Sequence, residues 1–408
     1  MITSRISRRP AQAIRAAALA AVAALALVAC TDAAGSDKDS EEGGGAGGDD
    51  PRPTRITVTP GSAATAVATE DKVTVRASDG GELTSVKVTA TGPGRLDGKL
   101  SGDKDTWSSS EPLAPGVTYT VVAEATGEDA EPVSEKTTFT TEDPAEEDTF
   151  VGEYNVDKGS TVGVALPVSI VFNKPIDDKA AVERGLSVTA DPGVEGAWNW
   201  MKDRDGRDRI DYRPEEYWKP GTEVTLRINL DGVDAGDGLY GTQTRKIDFT
   251  VGDAVVSTVD VVKKTMAVEK NGKLLRTLPI SAGKKGFETW NGTMVVLSKV
   301  PSIRMNSETV GIFGPEAYDL KDVKWDVQLT PSGTYAHAAP WNDGKFGQVN
   351  GSHGCIGMST SDAKWFYDQV HFGDPVTVVK STDTVPVNNG YGAWNVDWDK
   401  WQAGSALR

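Results

Sequence analysis

From residue 55 to about 141 the chain is made of short runs in which apolar and polar residues alternate, separated by turn-forming residues. Ile56-Thr57-Val58, Lys72-Val73-Thr74-Val75, Leu83-Thr84-Ser85-Val86-Lys87-Val88 and Val117-Thr118-Tyr119-Thr120-Val121 are examples. A period of two sends alternate side chains to opposite faces of a strand, so each run buries one face and solvates the other. Many such strands at short spacing predict a β-sandwich of immunoglobulin-like type. A second stretch echoes the first. Leu113-Ala114-Pro115-Gly116 and Trp218-Lys219-Pro220-Gly221 each precede a strand, and Phe139-Thr140-Thr141 and Phe249-Thr250-Val251 each close a module. The pattern therefore predicts a mainly β chain with two immunoglobulin-like β-sandwiches, at 54–143 and 148–252. A third β-rich domain follows at 253–380, and a Trp-rich extension at 381–408 holds Trp394, Trp398 and Trp401, which are expected to fold back onto the body. The sandwiches contain no Cys or His and read as spacers. Asp203, Asp205 and Asp208 are read as a solvated loop rather than a calcium site, and Trp198, Trp200 and Trp218 as packing residues rather than a ligand platform.

The N-terminal segment reads as a targeting signal. Arg5, Arg8, Arg9 and Arg15 precede an apolar run at 16–29, shorter than the ~20 residues a membrane-spanning helix needs. It ends in Leu27-Val28-Ala29-Cys30, which resembles the bacterial lipobox, whose cysteine is lipidated. Residues 1–30 are thus read as a lipoprotein signal peptide with Cys30 as the lipidation site, ordinary cleavage being the alternative. The Gly/Ser/Asp-rich residues 31–53 are read as a disordered linker. This places the chain outside the cytoplasm, lipid-anchored to the outer face of the cell membrane and facing the wall. A net charge of −16 argues against a nucleic-acid partner.

The chain has two cysteines. If Cys30 carries lipid, Cys355 is a lone thiol in an oxidising compartment, which excludes a disulfide framework and points to a nucleophile. Its surroundings support this. In Ser352-His353-Gly354-Cys355-Ile356-Gly357 an extended backbone would put His353 and Cys355 on one face, and a neighbouring imidazolium would lower the thiol pKa. Gly354 and Gly357 would let a substrate backbone approach, and the Cys355 amide would be available to an oxyanion. His337 alternates with Tyr335 and is expected to line the same pocket, whereas His371 is expected at the surface. Three bland readings compete: His337 as a hydrogen-bonded pocket residue without proton-transfer duty, Cys355 as a buried structural thiol, and a zinc site formed by His337, His353 and Cys355. The spacing matches no standard closed zinc site, so neither metal nor cofactor is expected.

Around these residues, 255–261 and 265–269 read as strands, Asn271-Gly272 as a type I′ hairpin turn, 274–281 as a third strand, and 376–379 as a returning strand. Residues 361–370 form the one convincing helix, capped by Ser359, Thr360 or Ser361, with Trp365, Phe366 and Val370 facing inward.

His337 followed by Ser352-His353-Gly354-Cys355 resembles the signature of the L,D-transpeptidase (YkuD) catalytic domain, over about 260–380. The order of lipobox, two immunoglobulin-like modules, catalytic domain and Trp-rich tail resembles the actinobacterial members. The resemblance implies an acyltransferase in which Cys355 attacks a donor tetrapeptide stem and releases D-Ala. A thioester results and is resolved by an acceptor amine, giving a 3→3 peptidoglycan cross-link. It implies His353 as the base, with His337 in the catalytic set. It also implies that the Cys355 amide and the Tyr318 hydroxyl form the oxyanion hole, and that Met305, Ser332, Gly333, His337 and Trp341 line the pocket. Carbapenems are implied as acylating inhibitors. Many members carry Asn or Arg where this chain has Gly357, so the group orienting His353 must lie elsewhere, a backbone carbonyl such as that of Ser332 being one choice. Alternatives are L,D-carboxypeptidase or D-amino-acid exchange at the same site, or a non-catalytic wall-binding lipoprotein. A peptidase of the NlpC/P60 type places Cys before His, and a sortase needs a downstream Arg that 356–374 lacks.

Overall fold

The computed structural model describes residues 53–91, 95–127 and 131–408. The signal peptide, Cys30 and all but the last residue of the proposed linker lie outside the described residues.

The first module is two four-stranded sheets face to face. One contains Ile56–Thr59, Thr74–Ala77, Thr106–Ser109 and Gly98–Leu100, the other Arg95–Leu96, Glu82–Ala90, Thr118–Thr126 and Pro132–Thr140. Period-two alternation is the cause. In Thr118–Thr126 the residues Tyr119, Val121, Ala123 and Ala125 are buried and their neighbours are not. They meet Val73, Val75, Trp107 and Phe139 in one core.

The second module repeats the architecture with sheets built on Val168–Phe172 and Asp208–Pro214, and on Glu223–Asn229 and Thr244–Val251. Trp198 and Trp218 are buried in its core, Trp218 donating its indole N–H to the Leu166 carbonyl (2.9 Å), and Trp200 packs against it. The acidic trio departs from the expected solvated loop. Asp203 is buried and accepts from the amides of Asp205 and Arg207, closing a turn, and Asp208 is buried at the head of a strand beside Lys202 (2.9 Å) and Lys179 (3.5 Å). Asp205 alone stays at the surface.

The third domain holds Cys355 and all three histidines. Its strands are β1 (Val255–Asp260), β2 (Thr265–Lys270), β3 (Lys273–Pro279), β4 (Gly292–Val295), β5 (Ser298–Asn306), β6 (Asp319–Gln328), β7 (Tyr335–Ala338), β8 (Ile356–Met358) and β9 (Pro375–Val379). They form a five-stranded sheet in the order β3-β2-β1-β9-β4 and a four-stranded sheet in the order β5-β6-β7-β8. Asn271 and Gly272 both take positive φ (50° and 75°), as a type I′ turn requires, and this closes the β2–β3 hairpin. The one long helix of this domain spans Thr360–Gln369, with Ser359 capping it by accepting from the Asp362 amide, an interaction worth about 1 kcal/mol. Phe366 and Val370 are buried beneath the helix with Val327, Ala336, Ile356 and Met358. That packing holds β6, β7 and β8 rigid, and the candidate site lies on their opposite face.

The tail joins the second and third domains. Trp401 is fully buried, with its indole N–H on the Ala197 carbonyl (3.0 Å), and Trp394 donates to the Ala165 carbonyl (2.7 Å).

Candidate active site

Parallel pairing of β7 with β8 brings the two halves of the motif together, with His337 opposite Gly357. Ala336 and Ala338 point into the core, so Tyr335 and His337 point the other way, and His337 lines a cleft of about 260 Å³. Cys355, His353, Gly357 and Ser352 come from the β8 side of this cleft. Met305, Tyr318 and Leu320 come from the β5–β6 arm, and Trp341 and Asn342 from the turn after β7. Ring centroids of His337 and Trp341 are 5.9 Å apart, which puts the half-exposed indole over the mouth.

The segment 353–355 is not extended, contrary to the sequence expectation. Strand β8 begins only at Ile356, and Gly354 has φ of +113°, a left-handed geometry that favours glycine. Both side chains still line the cleft, but not through the alternation of an extended strand. His353 turns toward the β5–β6 arm. Its Nε2 lies 2.8 Å from a Glu316 carboxylate oxygen, and its ring packs between Phe287 (4.7 Å) and Tyr318 (5.2 Å). Lys284 approaches the same Glu316 oxygen at 2.5 Å. Glu316 is therefore the group that holds His353, not the carbonyl of Ser332.

Cys355 sits deeper, 8% exposed, with its sulfur 3.6 Å from the Gly333 carbonyl, toward which a thiol proton points. Burial pushes this thiol up to about 11; the Tyr335 backbone pulls it down and the Asp326 carboxylate pushes it up. This reverses the expectation of a thiol lowered by an imidazolium. At neutral pH only about one molecule in 10,000 would hold a thiolate. Nucleophilic attack from this ground state needs a base that takes the proton as the reaction proceeds.

His337 has that arrangement. Its Nδ1 is 2.8 Å from the Ala338 carbonyl, and since a carbonyl only accepts, Nδ1 carries the hydrogen. In the neutral ring Nε2 is then the bare acceptor. Burial holds the His337 pKa below the usual imidazole value, so the ring is neutral at physiological pH.

The remaining expected site residues divide. Gly333 acts through its carbonyl on the sulfur. Ser332 turns away from the cleft, its hydroxyl accepting from the Asn389 amide (2.8 Å) in the tail. Gly354 supplies the bend. A Cβ on Gly357 would meet the Ala339 Cβ at 3.0 Å, so close strand packing favours glycine there. His371 is exposed beside Asp374. Glu316, Lys284, Phe287 and Asp326 were not picked out from the sequence. Glu316 lies two residues before Tyr318, but only the folded arm brings it to His353. Among the described residues no cluster of three or more His, Cys, Asp or Glu side chains is arranged to hold a metal ion.

The L,D-transpeptidase catalytic domain family matches residues 254–378, and a bacterial Ig domain family matches residues 64–234. The chain is 38% identical over 356 residues to L,D-transpeptidase 2 of Mycobacterium tuberculosis, covering 86% of this chain and 85% of that protein. It is 34% identical over 357 residues to L,D-transpeptidase 5 of the same species, covering 86% and 77%. Among solved structures, an L,D-transpeptidase from Mycobacterium smegmatis aligns with a TM-score of 0.46 at 33% identity, over 56% of this chain and 99% of that one.

Proposed function

The chain belongs to the L,D-transpeptidase family of acyl-transferring enzymes, and we propose that it forms 3→3 peptidoglycan cross-links through a Cys355 thioester. His337 Nε2 takes the thiol proton as Sγ attacks the amide carbon that precedes the terminal D-Ala of a donor stem. Negative charge on the former carbonyl oxygen is met by the Cys355 amide N–H, with the Tyr318 hydroxyl as second donor. The imidazolium of His337 then protonates the departing D-Ala amine, and the C–N bond breaks to leave the thioester. An acceptor side-chain amine enters past the arm that carries Tyr318 and attacks the thioester, handing its proton to neutral His337, which returns it to the departing sulfur. An amide forms and the thiol is restored. Ping-pong transfer of this kind requires that D-Ala leave before the acceptor enters.

The sequence assigned the base to His353. The observation that favours His337 is the 2.8 Å bond from its Nδ1 to the Ala338 carbonyl, which fixes the tautomer and leaves Nε2 toward the cleft. His353 has its Nε2 engaged by Glu316 and serves the acceptor side of the cleft in this account. A carbapenem, as an analogue of the acyl donor, would acylate the same sulfur. With Cys30 lipidated, the sandwiches would carry the catalytic domain from the outer face of the membrane into the wall.

Incubation with purified wall fragments bearing tetrapeptide stems tests this. Release of D-Ala in equal amount to a new 3→3 dimer is expected, and loss of both in Cys355→Ala. D-Ala release without dimer would make the chain an L,D-carboxypeptidase instead, and release of neither would leave a wall-binding lipoprotein.

A further inference from the structure

Asp326 on β6 is fully buried, and neither of its carboxylate oxygens has a hydrogen-bond partner among the described residues. A buried carboxylate left so is costly, and its retention calls for a cause. The register supplies its position. Gln328 pairs with Tyr335 across β6 and β7, and Val327 with Ala336, so alternation puts Asp326 on the face that carries Tyr335 and His337. Trp325 beside it has φ of +58°, rare for a residue with a side chain. Its ring is held on the far face by Tyr367 and by the Lys364 ammonium (4.8 Å).

The charges around Asp326 are few. Opposite it on β5 stands Val300. Neighbouring Lys299 reaches to the helix face, where its ammonium bonds the carbonyls of Tyr367 and Val370, and Lys364 with its partner Asp368 belongs to the helix as well. On its own strand Lys324 is paired with Asp322 at the surface (2.6 Å). From β7 come Tyr335 and His337, and from the bend before β8 comes Cys355. Burial and then the charges of Cys355 and Asp326 raise the Tyr335 phenol; burial and then the charge of Asp326 raise the Cys355 thiol.

We propose that Asp326 is a positioning residue for the nucleophile, whose buried charge adds to desolvation in keeping Cys355 protonated in the free enzyme. Uncharged, it leaves burial as the main brake on ionisation; charged, it holds the sulfur protonated more firmly. Burial lifts Asp326 to about 7, so the changeover falls near neutral pH. A resting thiol is shielded from oxidation, because the thiolate is the oxidised species. The inference rests on Cys355 being the nucleophile, but its test reads the thiol itself.

The test is iodoacetamide alkylation of Cys355 in the full chain, followed by peptide mass spectrometry from pH 5.5 to 9.5, for wild type and Asp326→Asn. The two are expected to react alike below about pH 6. Above about pH 8 the variant should be roughly tenfold faster, the size of one pKa unit. Wild type should show a shoulder near pH 7 that the variant lacks. Curves that coincide throughout, or stay parallel at every pH as altered access would give, overturn the proposal. Should the variant fail to fold, wild type alone decides: a shoulder supports the proposal, and a straight rise of unit slope overturns it. Failure of wild type to react with imipenem would instead remove the nucleophile reading and leave this result standing.

Discussion

His337 and His353 face one cleft, but their hydrogen bonds divide the labour. A neutral imidazole whose Nδ1–H is spent on the Ala338 carbonyl can accept a proton and return it, which is what acylation demands. His337→Ala should therefore slow single-turnover acylation by imipenem by about 10³-fold, within the range typical of a lost general base. His353→Ala should slow acylation by less than about tenfold and act mainly on transfer to the amine; the reverse ranking would return the base to His353. The pH dependence has a definite sign. Burial lowers the His337 pKa, so the ring stays a competent base below the ordinary 6.5, and the acidic limb of the acylation rate should fall below that value. Protonation is favoured in the unfolded chain, so the stability this site contributes is present above pH 6.5 and is lost as pH drops through that range. Cys355, both imidazoles and Gly357 were legible as one site from motif spacing, whereas Met305, Tyr318 and Trp341 could be added only through the family resemblance. Glu316 and Asp326 were not, because their significance comes from what the fold sets opposite them. The charge state of Cys355 was misjudged for a related reason: desolvation depends on burial, which no local motif encodes.

Among the elements, the β5–β6 arm walls one side of the cleft with Met305, Tyr318 and Leu320. Its tip runs through the short turns Ser307–Val310 and Gly314–Glu316 and returns at Tyr318, and it is fastened to the site by Glu316 on His353 and Lys284. The Lys284 ammonium, and then His353, hold the Glu316 carboxyl below the usual carboxylate range. Glu316 is therefore charged above the ordinary glutamate pKa and is protonated only as pH falls through the lowered one, so its ion pair with Lys284 should hold between pH 5 and 8. Glu316→Gln should raise backbone hydrogen exchange across 307–318 several-fold while leaving β7 and β8 unchanged. Equal exchange in both proteins would mean that the arm is held by its apolar contacts instead. The hairpin at Asn271-Gly272 and the capped helix after Ser359 were readable locally, since turn and cap chemistry are properties of neighbouring residues. The bend at Gly354 was not. Glycine permits both an extended and a left-handed backbone, and only pairing of β8 with β7 decides between them.

For the whole molecule, the tail converts the second sandwich and the catalytic domain into a continuous body. Arg213, buried on the sandwich, is ringed by Trp394 (4.8 Å), Trp398 (5.1 Å) and Trp401 (4.9 Å), and it donates to the Val396 carbonyl (2.8 Å). Burial pushes its guanidinium down to about 10, which still leaves it charged at neutral pH and attracted to three indole faces, each contact worth about 0.5–2 kcal/mol. Tail residues also reach back toward the site, Asn389 bonding Ser332 behind the Gly333 carbonyl that meets the sulfur. That the indoles would fold back followed from their density, but the arginine they surround lies 181 to 188 residues earlier and could not be read as their partner. All of this scaffolding serves one atom. The most direct measurement is intact-mass spectrometry with peptide mapping after exposure to meropenem. The account predicts a single covalent adduct on the peptide containing Cys355, absent from Cys355→Ala. An adduct that persists in that variant, or a wild-type chain that stays unmodified, would contradict it.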